Sequence, residues 1–149
     1  MADTDTYILR ASLGRSVHRD IEIRASKSLH DLAAAIVGAY DFDFDHAFGF
    51  YSKLKGRYYD SPEKYELFAD IGESDAGSVK NTTVAQVFDR PRKAMLFLFD
   101  YGDEWLFKVT LVGRGTAEKG IRYPRVVASK GEAPEQYPSP DDEVWDEDE

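Results

Sequence analysis

The stretch Lys93 to Val112, KAMLFLFDYGDEWLFKVTLV, constrains the fold more than any other. Met95-Leu96-Phe97-Leu98-Phe99 is apolar without a break, and Asp100-Tyr101-Gly102-Asp103 then interrupts it. The chain resumes in strict alternation, with Trp105, Phe107, Val109 and Leu111 on one face and Leu106, Lys108 and Thr110 on the other. Period-two alternation after a glycine-containing turn predicts a β-hairpin. A first strand apolar on both faces belongs in the middle of a sheet covered on both sides.

The N-terminal third supplies a second hairpin. Tyr7, Leu9, Ala11 and Leu13 alternate as an inner row, Gly14-Arg15-Ser16 turns, and Val17, Ile21 and Ile23 form the answering row. His18, Asp20, Glu22 and Arg24 are expected on a wet outer face, and Arg19 breaks the inner row. Ser28 and Asp31 resemble a capping box. Behind them Leu29, Leu32, Ala33, Ile36, Val37 and Tyr40 recur at steps of three and four, which predicts a three-turn amphipathic helix. Strand, strand, helix is a β-grasp-like ββα opening, with the helix packed across the hairpin. Ala47 to Tyr51 reads as another strand, and Thr83 with Gln86 as a capping box for a short helix ended by Pro91. Residues 57–80 show no usable period, and the chain after Gly115 reads as mostly loop, with Tyr123 to Val127 briefly extended. The expected class is α+β, built on a mixed or antiparallel sheet.

A chain of 149 residues can bury a core as one domain, expected over residues 1–138. The formal charge is −9, but residues 141–149 hold seven acids and no base. Without them 21 acids face 19 bases, a net of −2. Residues 139–149 are therefore expected as a disordered acidic tail. A body without basic excess disfavours direct nucleic-acid binding. Cysteine is absent, which excludes disulfides, thiolate catalysis and cysteine-ligated metals. No membrane span or signal peptide is evident, so the expected location is the cytoplasm.

Two clusters could carry chemistry. Asp100, Asp103 and Glu104 crowd the hairpin turn beside Trp105, where repulsion demands neutralisation or hydrogen bonds. They suit a cation or a substrate donor; turn aspartates that accept loop N–H groups are the preferred reading. Asp43, Asp45 and His46 follow the helix. Imidazole with carboxylates suits a divalent metal, but in a strand His46 would oppose both aspartates, so a metal would need Asp100 or Asp103 as well. The preferred reading is a polar connection with Phe42 and Phe44 anchored inward. His18 and His30 are expected at the surface. No Gly-x-Ser-x-Gly elbow, phosphate loop or His-Glu-x-x-His pair occurs.

Several of these pieces together resemble the plasmid pRiA4b ORF-3-like family of insertion-element passenger-like proteins. YILRASLGRSVHRDIEIRASKSLHDLAAAIVGAY is similar to its strand pair and helix, and Tyr40-Asp41 through His46 to Phe50 to its acid-rich segment. Phe99-Asp100-Tyr101-Gly102-Asp103-Glu104-Trp105-Leu106-Phe107 lies over its motif Tyr-Asp-Phe-Gly-Asp-x-Trp-x-His. Tyr123-Pro124-Arg125 and Gly131 to Pro134 match its ending. The family's Ile-Trp-Arg is Val17-His18-Arg19 here, its second histidine is Phe107, and its Cys-Gly-Gly close is Gln136-Tyr137-Pro138. The resemblance implies an α+β domain and brings no established activity. Three functions are carried forward: a non-enzymatic binding or accessory module with a protein or small-molecule partner, a metal-dependent hydrolase-like enzyme using Asp100, Asp103 and His46, and a mobile-element or nucleic-acid-associated factor. No cofactor is required beyond a possible divalent metal at His46, Asp100 and Asp103. The binding module is expected to have its cleft where His46 meets the Asp100–Asp103 turn.

Overall fold

The computed structural model describes residues 4–137, so the acidic segment 139–149 lies outside the described residues. The chain is α+β and dominated by one mixed eight-stranded sheet. In chain order its elements are β1 (Asp5–Leu13), β2 (Val17–Arg24), α1 (Leu29–Ala39), β3 (Phe48–Tyr51), β4 (Lys64–Glu66), β5 (Gly77–Ser78), α2 (Val84–Val87), β6 (Ala94–Phe99), β7 (Trp105–Thr116) and β8 (Arg125–Lys130). The strands lie side by side as β5-β4-β3-β6-β7-β1-β2-β8, and only the short β4–β5 pair is parallel. Both neighbours of β1 run antiparallel to it.

The Lys93–Val112 hairpin forms as its pattern requires. β6 pairs with β7 from Ala94↔Thr110 to Phe99↔Trp105, and β3 covers its other edge. Both faces of β6 are buried: Met95, Phe97 and Phe99 enter the main core, while Leu96 and Leu98 pack with Tyr51 in a smaller cluster on the opposite face. α1 lays its stripe of Leu29, Leu32, Ala33, Ile36 and Val37 on the main core. Both capping boxes are present, Ser28 with Asp31 and Thr83 with Gln86. Tyr40 caps the C-terminus of α1, and its hydroxyl ties the cap to β1 by donating to Ala11 O at 2.7 Å.

Four expectations are corrected. The second strand of the central hairpin is longer than expected: β7 continues through Gly113 and Gly115 to Thr116 alongside Asp5–Ile8, past a bulge between Ile8 and Leu9. A Cβ on Gly115 would lie 3.0 Å from Thr6 Oγ1 and 3.1 Å from Glu22 Oε2, so this glycine leaves room for a buried polar pair. β8 then adds antiparallel to β2 at the sheet edge. The outer face of β2 is not wet, since Asp20 and Glu22 are each only 6% exposed. Asp20 receives a fork from Arg10, while Glu22 receives one from Arg125 and a bond from Thr6 Oγ1. His18 and His30 are half-buried rather than open surface, and the His30 ring packs edge-on against Phe44 and Phe48. Phe42 is anchored inward, but Phe44 is exposed, resting on Phe48 and stacked on Phe99.

The unreadable stretch 57–80 is two 3₁₀ turns, Tyr58–Asp60 and Leu67–Ile71, separated by β4 and followed by β5. Three-residue periods and two- or three-residue strands leave no hydrophobic repeat to detect.

Candidate functional site

The site forms at one end of the sheet because β3 is the neighbour of β6. Phe48 pairs with Phe99, so the residues just before β3 meet those just after β6. The Asp100 N–H donates to Ala47 O at 2.9 Å and fixes this meeting. His46 Nε2 lies 3.6 Å from Asp100 Oδ2, so the two groups are neighbours. Asp43, Asp45 and His46 are in irregular backbone rather than a strand, so the opposed-face expectation does not apply. His46 Nδ1 is in fact 2.7 Å from Asp45 Oδ1.

Asp100 is 5% exposed and takes a left-handed backbone conformation, φ +69°. Its Oδ1 accepts from the Gly102 and Asp103 N–H groups at 3.0 and 3.3 Å, which is the turn chemistry the sequence suggested. Asp103 itself makes no side-chain hydrogen bond among the described residues. Glu104 is exposed, also at positive φ. Trp105 sits half-buried at the start of β7, its ring 4.8 Å from Phe42, and its Nε1 is buried with no partner among the described residues. Trp105 thus belongs with the Phe42 side of the core.

The chain's last described residues complete the site, and sequence reasoning missed them. The Tyr137 hydroxyl lies 3.1 Å from Asp45 Oδ2 and 3.2 Å from His46 Nδ1. The Gln136 side chain brackets Asp43, accepting from its N–H at 2.7 Å and donating to its carbonyl at 3.1 Å. An open groove of about 410 Å³ adjoins them, lined by Asp41, Asp43, Glu135, Gln136 and Tyr137 among others. The available signal was the departure Gln136-Tyr137 from the family's close, but only contacts across the fold give it meaning.

The electrostatics follow from the geometry. The bond to Asp45 raises the His46 pKa above its ordinary value; partial burial opposes this, and the charge of Asp100 adds to it. For Asp45, burial pushes upward, but the bonds from His46 and Tyr137 outweigh it and hold the carboxyl low. Burial and the bond to Asp45 raise the Tyr137 phenol to about 12. A raised histidine pKa gives stability that is fully present below the ordinary value of 6.5 and is lost as pH rises through the folded value. Wild type should therefore melt above His46→Gln at pH below 6.5, with the gap closing as pH rises further. A pH-independent gap in melting temperature would remove the ionic role from His46.

Among the described residues no group of three or more His, Asp or Glu side chains is disposed to hold a metal ion, so the expected set of His46, Asp100 and Asp103 is not assembled as one. No described helix is long and apolar enough to cross a membrane.

The family model for the plasmid pRiA4b ORF-3-like protein matches residues 8–137. The chain belongs to that family. Its ORF-3-like match takes in α1, both hairpins, the Asp100–Asp103 turn and Gln136-Tyr137. No curated protein matches the sequence. Among solved structures, the protein of unknown function MM3350 from Methanosarcina mazei Go1 is similar, with 22% identity and a TM-score of 0.70. The similarity covers 86% of this chain and 71% of that one, and shows the ORF-3-like fold without an activity.

Proposed function

We propose that this ORF-3-like protein is a non-enzymatic binding module of the cytoplasm, receiving a cationic group of a partner beside His46. One observation supports this reading above the others. His46 stands among carboxylates: its Nδ1 is engaged by Asp45 and Tyr137, its Nε2 faces Asp100 Oδ2 at 3.6 Å, beyond hydrogen-bond reach, and the second Asp100 oxygen is held by the turn. The carboxylates of Asp41, Asp43 and Glu135 line the open groove alongside, where they favour positive charge. The β-grasp-like reading of the ββα opening fits this role, since a helix laid across a hairpin leaves the strand ends for partners.

Pentalysine is the probe. At low salt it should raise the melting temperature of the wild type by binding linkage, and the shift should vanish in an Asp43→Asn, Glu135→Gln double variant. No shift in the wild type, or an equal shift in the variant, would overturn the proposal. A divalent ion that stabilises the wild type but not Asp103→Asn would favour the hydrolase-like alternative instead.

A further inference from the structure

The main helix covers one face of the sheet, and the opposite face carries a groove of about 720 Å³, at the end of β6 away from His46 and Asp100. Three cations face it, Arg10, Arg92 and Lys108, and no carboxylate lines it; Arg114 also borders it, but its guanidinium is stacked over the Tyr7 ring at 5.1 Å. Without residues 141–149 the chain holds 21 acids against 19 bases, so a groove lined by cations and no acid is a local segregation of charge.

The register explains how the cations converge. Arg10 pairs with Thr110, and Thr110 with Ala94, which puts these three in one row across β1, β7 and β6. Lys108 stands in the next row on the same face, two residues along β7. Arg92 enters from the loop before β6 with φ +66°, held there by its N–H on Leu111 O. A non-glycine residue in that conformation is strained by about 1–2 kcal/mol, so the fold holds it there against a local cost.

Arg10 is oriented in advance. Its Nε and Nη2 bind the two oxygens of Asp20 at 2.8 and 3.0 Å, leaving Nη1 without a partner among the described residues. The Arg92 and Lys108 side chains likewise make no ion pair or hydrogen bond there. Leu54, Pro91 and Val112 add an apolar wall.

We infer that this groove is a second binding site, for a small phosphorylated molecule with an apolar or aromatic body. Guanidinium forks and an ammonium match the several oxygens of a phosphate, and the wall suits the attached group. A long polyanion fits less well, because the rest of the chain offers no basic excess to hold it beyond the groove.

Calorimetric titration of the full chain at low ionic strength tests the inference, with pyrophosphate, ADP and adenosine as probes. Pyrophosphate and ADP should bind and adenosine should not. An Arg92→Ala, Lys108→Ala double variant should bind both at least about tenfold more weakly. Its melting temperature should match the wild type, since both side chains are exposed. The proposal is overturned by no binding at millimolar ADP and pyrophosphate, or by unchanged affinity in the variant. It is equally overturned if a single-stranded oligonucleotide binds tighter than ADP, or if a synthetic 139–149 peptide fills the groove while ADP cannot. Because the probes are anions and the variants lie on the other face, the result is independent of the pentalysine experiment.

Discussion

Replacing Phe97 with alanine is expected to cost about 3–5 kcal/mol of folding stability, the largest loss from any single side chain considered. Phe97 is fully buried on the central strand β6. Its ring lies 4.8 Å from Phe50, 5.7 Å from Phe107 and 5.8 Å from Phe48, so truncation empties a space walled by three other strand-held rings. Rigid strands on both sides prevent the gap from closing, which adds a cavity penalty to the lost transfer energy. Urea denaturation should show a lower midpoint at unchanged slope. Leu106→Ala, at an exposed position one residue away on β7, should stay within about 0.5 kcal/mol. A Phe97→Ala loss below about 1 kcal/mol would mean that the aromatic cluster is not what holds β3, β6 and β7 together.

Glu22→Ala is expected to cost about 1–3 kcal/mol and to act mainly on one strand. Glu22 Oε1 takes both bonds from Arg125 of β8, and Oε2 takes the hydroxyl of Thr6, which is fully buried. All six β8 side chains are exposed, so the strand has little apolar burial with which to hold itself on β2. Arg125 can turn to water when its partner is removed, which limits the cost; the Thr6 hydroxyl cannot. Hydrogen exchange should speed up at the amides of Arg125–Lys130 well before those of β1. Equal protection in wild type and variant would show that backbone pairing alone secures β8.

The legible parts of this chain were those whose partners are close in sequence. α1 announced itself through Ser28 with Asp31 and a stripe at helical spacing, and β6 and β7 through a turn five residues long. The meeting of His46 with Asp100 was also anticipated, since strands that end at the same place bring their loops together. What escaped depended on distant partners. Asp20 and Glu22 look like solvent positions until Arg10 and Arg125 are placed against them, the latter 103 residues away. β8 lacks alternation because an exposed edge strand needs no apolar face. Gly113 and Gly115 read as loop, whereas they serve close approach to Ile8, Thr6 and Glu22. Gln136 and Tyr137 carry no pattern of their own, and their role at the candidate site follows only from the return of β8 past β2.

The strand order also sets a timetable for synthesis. β1 leaves the ribosome before every other strand of the sheet, yet the neighbour on one of its sides is β7, roughly 100 residues later. The β1–β2 hairpin and α1 can assemble early from local pieces, and β3 can wait for β6. Joining the two halves requires β7 to hydrogen-bond to both β6 and β1 at once. Until that segment emerges, the nascent chain carries two half-sheets, each with an unclosed seam of backbone amides and carbonyls.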